Sequence, residues 1–243
     1  MKPRILLVED DPTTAAFLSA AAEALPAIVD TVASRATARA QATNIAYDLW
    51  LIDAHLPDGD GAGLLLGLRG LGLQTPALAH TASRDEEVHR PLHAAGFEAV
   101  LVKPLAAAAL RAALAGALTG RTSLRVAEAQ GPGAGANASG NTGADAWDDA
   151  AALRALNGER AHVEALRQLF LAELPAAHAH VMRSARSGAH DALRDALHRL
   201  RASCGFVGAM RLEQAVIALQ AQPDSDAALM RFDAAAHELS PLP

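Results

Sequence analysis

Four apolar runs of the chain each close on residues that can do chemistry. Glu9, Asp10 and Asp11 follow Ile5-Leu6-Leu7-Val8; Asp53 follows Leu49 to Ile52; Thr81 and Ala82 follow Ala77 to Ala79; Lys103 and Pro104 follow Ala99 to Val102. Each run reads as a short strand buried on both faces, as in a parallel sheet. In an open parallel sheet ligands gather beyond the carboxyl ends of the strands, which is where these residues fall. Two strand-end acids from separate strands repel at close range. A hard cation with oxygen ligands relieves that repulsion, Mg²⁺ being the abundant choice. A lysine ammonium and a threonine hydroxyl nearby add donors for phosphoryl oxygens. The set therefore points to a phosphoryl group held on or beside a carboxylate.

The elements that must position these residues alternate in type. A further strand is predicted at Ile28 to Val32, and helices at Thr13 to Ala24, Thr37 to Thr43, Gly63 to Leu68, Glu86 to Ala95 and Ala106 to Leu118. Strands alternating with helices predict βαβ units, hence an α/β doubly wound five-stranded parallel sheet. The stretch Gln130 to Gly143 has no large apolar residue and reads as a flexible Gly/Ala-rich linker. Beyond it the strand signals stop. Helical stretches at Ala150 to Leu156, Arg160 to Ser184, Ala189 to Cys204, Arg211 to Gln220 and Asp226 to Leu239 are joined by short connections, which makes them antiparallel neighbours in an all-α bundle. The expected organisation is a first domain at 1–119, a linker at 120–146 and a second domain at 147–243.

Composition narrows the function. The 243 residues carry 27 acids against 21 Lys and Arg, a net charge of −6, with 3% aromatic residues. That balance offers no positive field for a phosphate backbone and little for base stacking, so no nucleic-acid partner is expected. Charges interrupt every long apolar run, so no membrane segment is expected. Of the 243 residues 60 are Ala, which places the hydrophobic fraction in helices. Cys204 is the sole cysteine, which excludes an intrachain disulfide, and the N-terminal apolar run is too short for a signal peptide; a cytoplasmic location is expected.

Residues 3 to 118 resemble a two-component response-regulator receiver domain of the CheY-like, flavodoxin-like type. The resemblance rests on Leu7-Val8-Glu9-Asp10-Asp11, Leu51-Ile52-Asp53 running into Leu56-Pro57 and Asp60-Gly61, Thr81-Ala82 and Lys103-Pro104, in that order. It implies that Asp53 is the phosphoacceptor and that Asp10, Asp53 and the backbone carbonyl of His55 ligate Mg²⁺, with Glu9 assisting. It also implies that Thr81, Ala82 and Lys103 contact phosphoryl oxygens. Val100 stands where many receivers carry an aromatic switch residue, and His55 and Arg84 are bulky groups expected beside the pocket, where they could hinder water or bias partner choice.

The second candidate nucleophile is His198. At about 100° per residue Leu193, Leu197, Leu200 and Cys204 form one stripe facing the bundle core, and His198 lies about 140° away, toward solvent. Arg194 and Ala202 flank it one turn either side, with Arg201 and Gly205 nearby. His198-Arg199-Leu200-Arg201-Ala202 with Gly205-Phe206-Val207-Gly208 resembles the signature of histidine-containing phosphotransfer (HPt) domains, with Arg201 for the usual Lys and Ala202 for the usual Gly. The resemblance extends over residues 147 to 240, including the helix bearing Leu166, Leu169, Phe170 and Leu174. It implies a four-helix bundle, His198 as the phosphorylated histidine, and a docking surface of Arg194, Arg201, Ala202 and Gly205. His178 and His180, two apart on a helix, do not face the same way and make no metal pair; His162, His190 and His237 read as surface residues.

Together the two resemblances imply a phosphorelay intermediate, receiving from a sensor or hybrid histidine kinase and exchanging with a downstream response-regulator receiver. They allow a homodimer through the receiver. No Gly-rich nucleotide loop or kinase motif is visible, so the chain is expected not to be an ATP-dependent enzyme, although a receiver catalyses its own phosphorylation and dephosphorylation. The alternative is a binding module in which the receiver state gates exposure of the HPt domain.

Overall fold

The computed structural model describes residues 2–83, 85–103, 105–120, 146–155 and 160–239. The chain divides into two units, Met1–Pro132 and Gly133–Pro243. The expected linker lies outside the described residues except for Gly120 and Ala146, as do Arg84 and Pro104.

The first unit alternates strand and helix: β1 (Arg4–Val8), α1 (Pro12–Glu23), β2 (Ile28–Val32), α2 (Arg35–Asn44), β3 (Leu49–Asp53), the two-residue β4 (His55–Leu56) and β5 (Gly59–Asp60), α3 (Gly61–Gly70), β6 (Ala77–Thr81), α4 (Glu86–Ala95), β7 (Ala99–Val102) and α5 (Ala107–Leu118). Five strands pair in parallel in the order β2-β1-β3-β6-β7. This is the doubly wound sheet the alternation predicts. The three central strands are buried along nearly their whole length, and Trp50, Ile52 and Leu65 anchor the core on one side of the sheet.

Where boundaries differ from the sequence reading, long-range contacts set them. Helix α2 starts two residues early because both oxygens of Asp58, 22 and 23 residues away, accept the Arg35 and Ala36 amides at 2.8 and 2.9 Å. Strand β6 runs two residues further, through His80 and Thr81, because these pair with Leu101 and Val102. The short antiparallel pair of β4 and β5 was not foreseen. It closes the turn Pro57-Asp58 before Asp60, whose Oδ1 caps α3 by accepting the Gly63 amide at 2.6 Å.

The second unit is helical throughout its described residues: α6 (Asp149–Ala155), α7 (Arg160–Arg186), α8 (His190–Val207), α9 (Met210–Ala221) and α10 (Asp226–Leu239). Consecutive long helices pack on one another, α10 returns to α7, and α6 lies on α8. Helix α8 does not stop at Cys204. It continues through Gly205, Phe206 and Val207 to Gly208, whose φ of 76° makes the left-handed C-cap. A Cβ on Gly208 would sit 2.3 Å from the Asp148 carbonyl oxygen, so close approach as well as φ demands glycine there.

Candidate functional site

Register assembles the site of the first unit. Val8 lies opposite Ile52, and Asp53 lies opposite His80, which lies opposite Leu101. Residues opposite one another on parallel strands share a face. Glu9, Asp53 and His80 therefore form one row across three strands, and Lys103, two residues past Leu101, falls on the same face. All four are buried: relative exposure is 2% for Glu9, 5% for Asp53, 1% for His80 and 6% for Lys103.

The contacts are those of a charge-compensated cluster. The Lys103 Nζ donates to Asp53 Oδ2 at 2.5 Å and to Glu9 Oε2 at 2.6 Å. Asp53 Oδ1 accepts the His55 amide at 2.9 Å, and Glu9 Oε1 accepts the Asp11 amide at 3.1 Å. Burial alone would raise the Asp53 carboxyl, but the Lys103 ammonium and the His55 amide outweigh it and hold it well below the usual carboxylate range. For Glu9 burial wins, and with the nearby Asp53 charge it pushes the carboxyl well above its ordinary value against the pull of Lys103. Lys103 is itself disfavoured by burial, yet the two carboxylates raise it above an ordinary lysine. The result is one firmly ionised carboxylate, one reluctant neighbour and a fixed ammonium between them.

Thr81 ends β6 fully buried, and its Oγ1 accepts the Ser83 amide at 3.1 Å, leaving the hydroxyl hydrogen for donation. The Lys103 amide donates to the Thr81 carbonyl at 2.7 Å, which fixes the exit of β7 against the end of β6. Ala82 is buried next to it. Asp11 is committed as the N-cap of α1, accepting the Thr14 amide at 2.7 Å, while Asp10 is half-buried. The His55 side chain is exposed, and Val100 packs half-buried against the core. Gly61 brings α3 onto the end of β3: a Cβ there would meet the Asp53 carbonyl oxygen at 2.3 Å.

His80 is the functional-site residue that sequence reasoning missed. Its Nδ1 lies 3.5 Å from Glu9 Oε2 and 3.7 Å from Asp53 Oδ2, and neither ring nitrogen completes a hydrogen bond. Burial and then the Lys103 charge lower it to about 3, with Asp53 and the Val8 backbone acting in the other direction. The imidazole is thus neutral at physiological pH. The signal was present: a histidine inside an otherwise apolar strand, one residue before Thr81.

The carboxylates of Glu9 and Asp53, with Asp10 beside them in sequence, are hard oxygen donors of the type that suits Mg²⁺.

In the second unit Leu193, Leu197, Leu200 and Cys204 are all buried, as the stripe predicts. His198 is half-buried on α8 rather than fully presented to solvent. Ala202, expected on the docking surface, is only 3% exposed, as α8 is flanked by α6 as well as α7 and α9 and buries more than one stripe. Gly205 is half-buried inside the helix, Arg201 is half-buried, and Arg194 is exposed and paired with Asp191. No described helix is long and apolar enough to cross a membrane.

Residues 5–115 match the family profile described as the response regulator receiver domain. The sensor histidine kinase AruS of Pseudomonas aeruginosa is 44% identical over 72 residues, 28% of this chain and 7% of that protein. The Probable transcriptional regulatory protein SilR of Salmonella typhimurium is 35% identical over 109 residues, 45% of this chain and 48% of that protein. The chain thus spans less than half the length of these curated relatives. Among solved structures, a CheY-like response regulator receiver domain protein from Methanospirillum hungatei is 25% identical with a TM-score of 0.47, covering 50% of this chain and 97% of that one. The chemotaxis response regulator CheY4 of Vibrio cholerae is 24% identical with a TM-score of 0.46, covering 48% and 99%. With the doubly wound sheet and its acid–lysine cluster at the strand ends, the profile match identifies residues 5–115 as a response regulator receiver domain of the CheY-like type.

Proposed function

We propose that the chain is a phosphorelay protein in which Asp53 accepts a phosphoryl group and His198 exchanges it with a partner receiver. The observation that carries the first half is the ionised, buried Asp53 held by Lys103 at 2.5 Å, with Thr81 and the Ala82 amide at the neighbouring strand end. A bond forms between an Asp53 carboxylate oxygen and phosphorus as the donor's imidazole N–P bond breaks, and the departing imidazole takes up a proton. Lys103 Nζ and the Thr81 hydroxyl then have the phosphoryl oxygens as acceptors. Glu9, Asp10, Asp53 and the His55 carbonyl would hold Mg²⁺, which when bound would supply positive charge beside the transferring group. Glu9, whose ionisation burial disfavours, is the carboxylate with most to gain from a neighbouring cation.

The second half rests on the HPt-like residues of α8 within a helical unit of four long helices. In the reverse-type step an imidazole nitrogen of His198 attacks the acyl phosphate of an aspartate, the Asp O–P bond breaks, and the imidazole sheds its proton to water. Donors of the histidine kinase class and a downstream receiver are the partners this chemistry requires. The soluble setting of such partners is the cytoplasm, and no ATP site of the chain's own is invoked.

The test is radiolabelled transfer from a phosphorylated histidine kinase, with Mg²⁺, to the full chain, Asp53→Asn and His198→Gln. We expect acid-stable, hydroxylamine-sensitive label on Asp53 and acid-labile label on His198. Label that reaches Asp53→Asn and His198→Gln as it reaches the unsubstituted chain refutes the reading. Label on His198 in Asp53→Asn refutes only the Asp-to-His order.

A further inference from the structure

The helical unit holds a second cluster, on α7 and α10 rather than on the His198 helix. His178 Nε2 lies 2.7 Å from Asp233 Oδ1, and His237 Nδ1 lies 3.5 Å from the same oxygen. The two imidazole nitrogens and the carboxylate oxygen all fall within 4.8 Å of one another. We propose that His178, Asp233 and His237 bind a divalent transition-metal ion of the Zn²⁺ class, cross-linking α7 to α10.

The geometry is close to what such an ion needs. A tetrahedral site with bonds of about 2.0–2.1 Å spaces its ligand atoms by about 3.3 Å, so side-chain adjustment alone closes the set. Asp233 and His237 are four apart on one helix and share a face. The His178 ring stacks on Phe232 at 5.7 Å between centroids and 14° between planes, which fixes its orientation before any ion arrives. Exposure grades outward, from 13% for the His178 side chain to 40% for Asp233 and 45% for His237. Three protein ligands therefore face an open side where water or a partner group completes the coordination, the form of an open zinc site.

The ligand types set the selectivity. Two imidazoles and one carboxylate favour Zn²⁺, Ni²⁺ or Cu²⁺ over Mg²⁺, whose preference is for oxygen. His237 Nδ1 donates to the Asp233 carbonyl at 2.9 Å, since a carbonyl oxygen can only accept. His178 Nε2 likewise donates to the Asp233 carboxylate at 2.7 Å, so binding requires both protons to move, through water, to the other nitrogen of each ring, which frees His178 Nε2 and His237 Nδ1 to ligate. From sequence alone His178 is weighed only against His180 and His237 reads as a surface residue, because Asp233 and His237 lie 55 and more residues from His178 along the chain.

The experiment titrates the full chain with Zn²⁺ by calorimetry in excess Mg²⁺, which occupies the oxygen donors of the receiver site. Thermal unfolding is followed in parallel through Trp147, which sits in the helical unit, and Co²⁺ is used as a visible-absorption probe. We expect one site of micromolar or tighter affinity, a rise in the unfolding midpoint of at least about 5 °C at saturating Zn²⁺, and a tetrahedral Co²⁺ spectrum. His178→Phe, which keeps the stacking partner, and His237→Ala, at an exposed position, should each weaken binding at least tenfold and remove the midpoint shift. Affinity unchanged in both variants overturns the proposal, as does Zn²⁺ binding that instead disappears in His80→Val, or a wild-type midpoint that Zn²⁺ leaves unmoved.

Discussion

Replacing Lys103 by Met keeps the aliphatic stem and deletes the ammonium that both Asp53 and Glu9 contact, at 2.5 and 2.6 Å. The two carboxylates, with side chains 7% and 1% exposed, are then left facing each other away from water. An uncompensated buried charge costs about 3–5 kcal/mol. Protonation limits that cost. Neutralising one carboxyl of ordinary pKa near 4 at pH 7 costs about 1.4 kcal/mol for each of roughly three pH units, so the penalty cannot exceed about 4 kcal/mol per carboxylate. The mutant should be less stable than wild type by about 3–4 kcal/mol at pH 7. The sign of the pH dependence follows: without Lys103 burial raises the carboxyl, and a group raised on folding is penalised at high pH and relieved as pH falls. The deficit should shrink by about 2 kcal/mol between pH 7 and pH 5.5. Urea unfolding reads this directly, with Trp50 of β3 as the reporter in a Trp147→Phe background. At about 1–3 kcal/mol per molar urea, the midpoint should fall by at least 1 M or so at pH 7 and recover half of that at pH 5.5. A deficit of equal size at both pH values would show that Lys103 contributes packing rather than charge, and would refute the reasoning.

Three further outcomes are expected. His80 is lowered to about 3 in the folded state, so below its ordinary 6.5 the unfolded chain binds a proton that the folded chain refuses; His80→Val should therefore lose less stability than wild type between pH 7 and pH 5, by about 2 kcal/mol, in urea titrations at the two pH values. Gly208→Ala forces a Cβ to within 2.3 Å of the Asp148 carbonyl oxygen at a φ of 76°, and should lower the stability of the helical unit by about 1–3 kcal/mol, measured by thermal unfolding through Trp147. Asp58→Ala removes the acceptor of the Arg35 and Ala36 amides and should fray the first turn of α2, visible as faster amide exchange at those two residues than at the middle of the helix.

Much of the receiver was legible because its information is local. Short apolar runs closed by acids specify strands, and the order of Asp53, Thr81 and Lys103 along the chain fixes which strand end each occupies. His80 was not legible in the same way: a residue inside a strand declares its role only when register sets it opposite Asp53. The early start of α2 and the extra length of β6 have the same origin, a partner tens of residues away. In the helical unit the apolar stripe of α8 read correctly, yet Ala202 is buried, because a helix packed against several neighbours buries more than the single stripe a helical wheel picks out. Gly205 and Gly208 look alike in sequence, and only φ separates the one inside the helix from the one that ends it.

The contact between Asp148 and Gly208 also decides where the helical unit begins. The Asp148 amide donates to the Gly208 carbonyl at 2.7 Å, and its Oδ1 accepts the Ala151 amide at 2.8 Å, so one residue fastens the incoming chain to the end of α8 and starts α6. Just before it, Trp147 lies under the Arg167 guanidinium at 4.7 Å. A fragment cut at residue 149 would lose this clasp and leave the Gly208 carbonyl without its donor, even though every long helix was retained. The clasp stands ten residues from His198, about 15 Å along the helix. The chain's entry at residues 147–148 is thus coupled first to the end of the helix that carries the histidine.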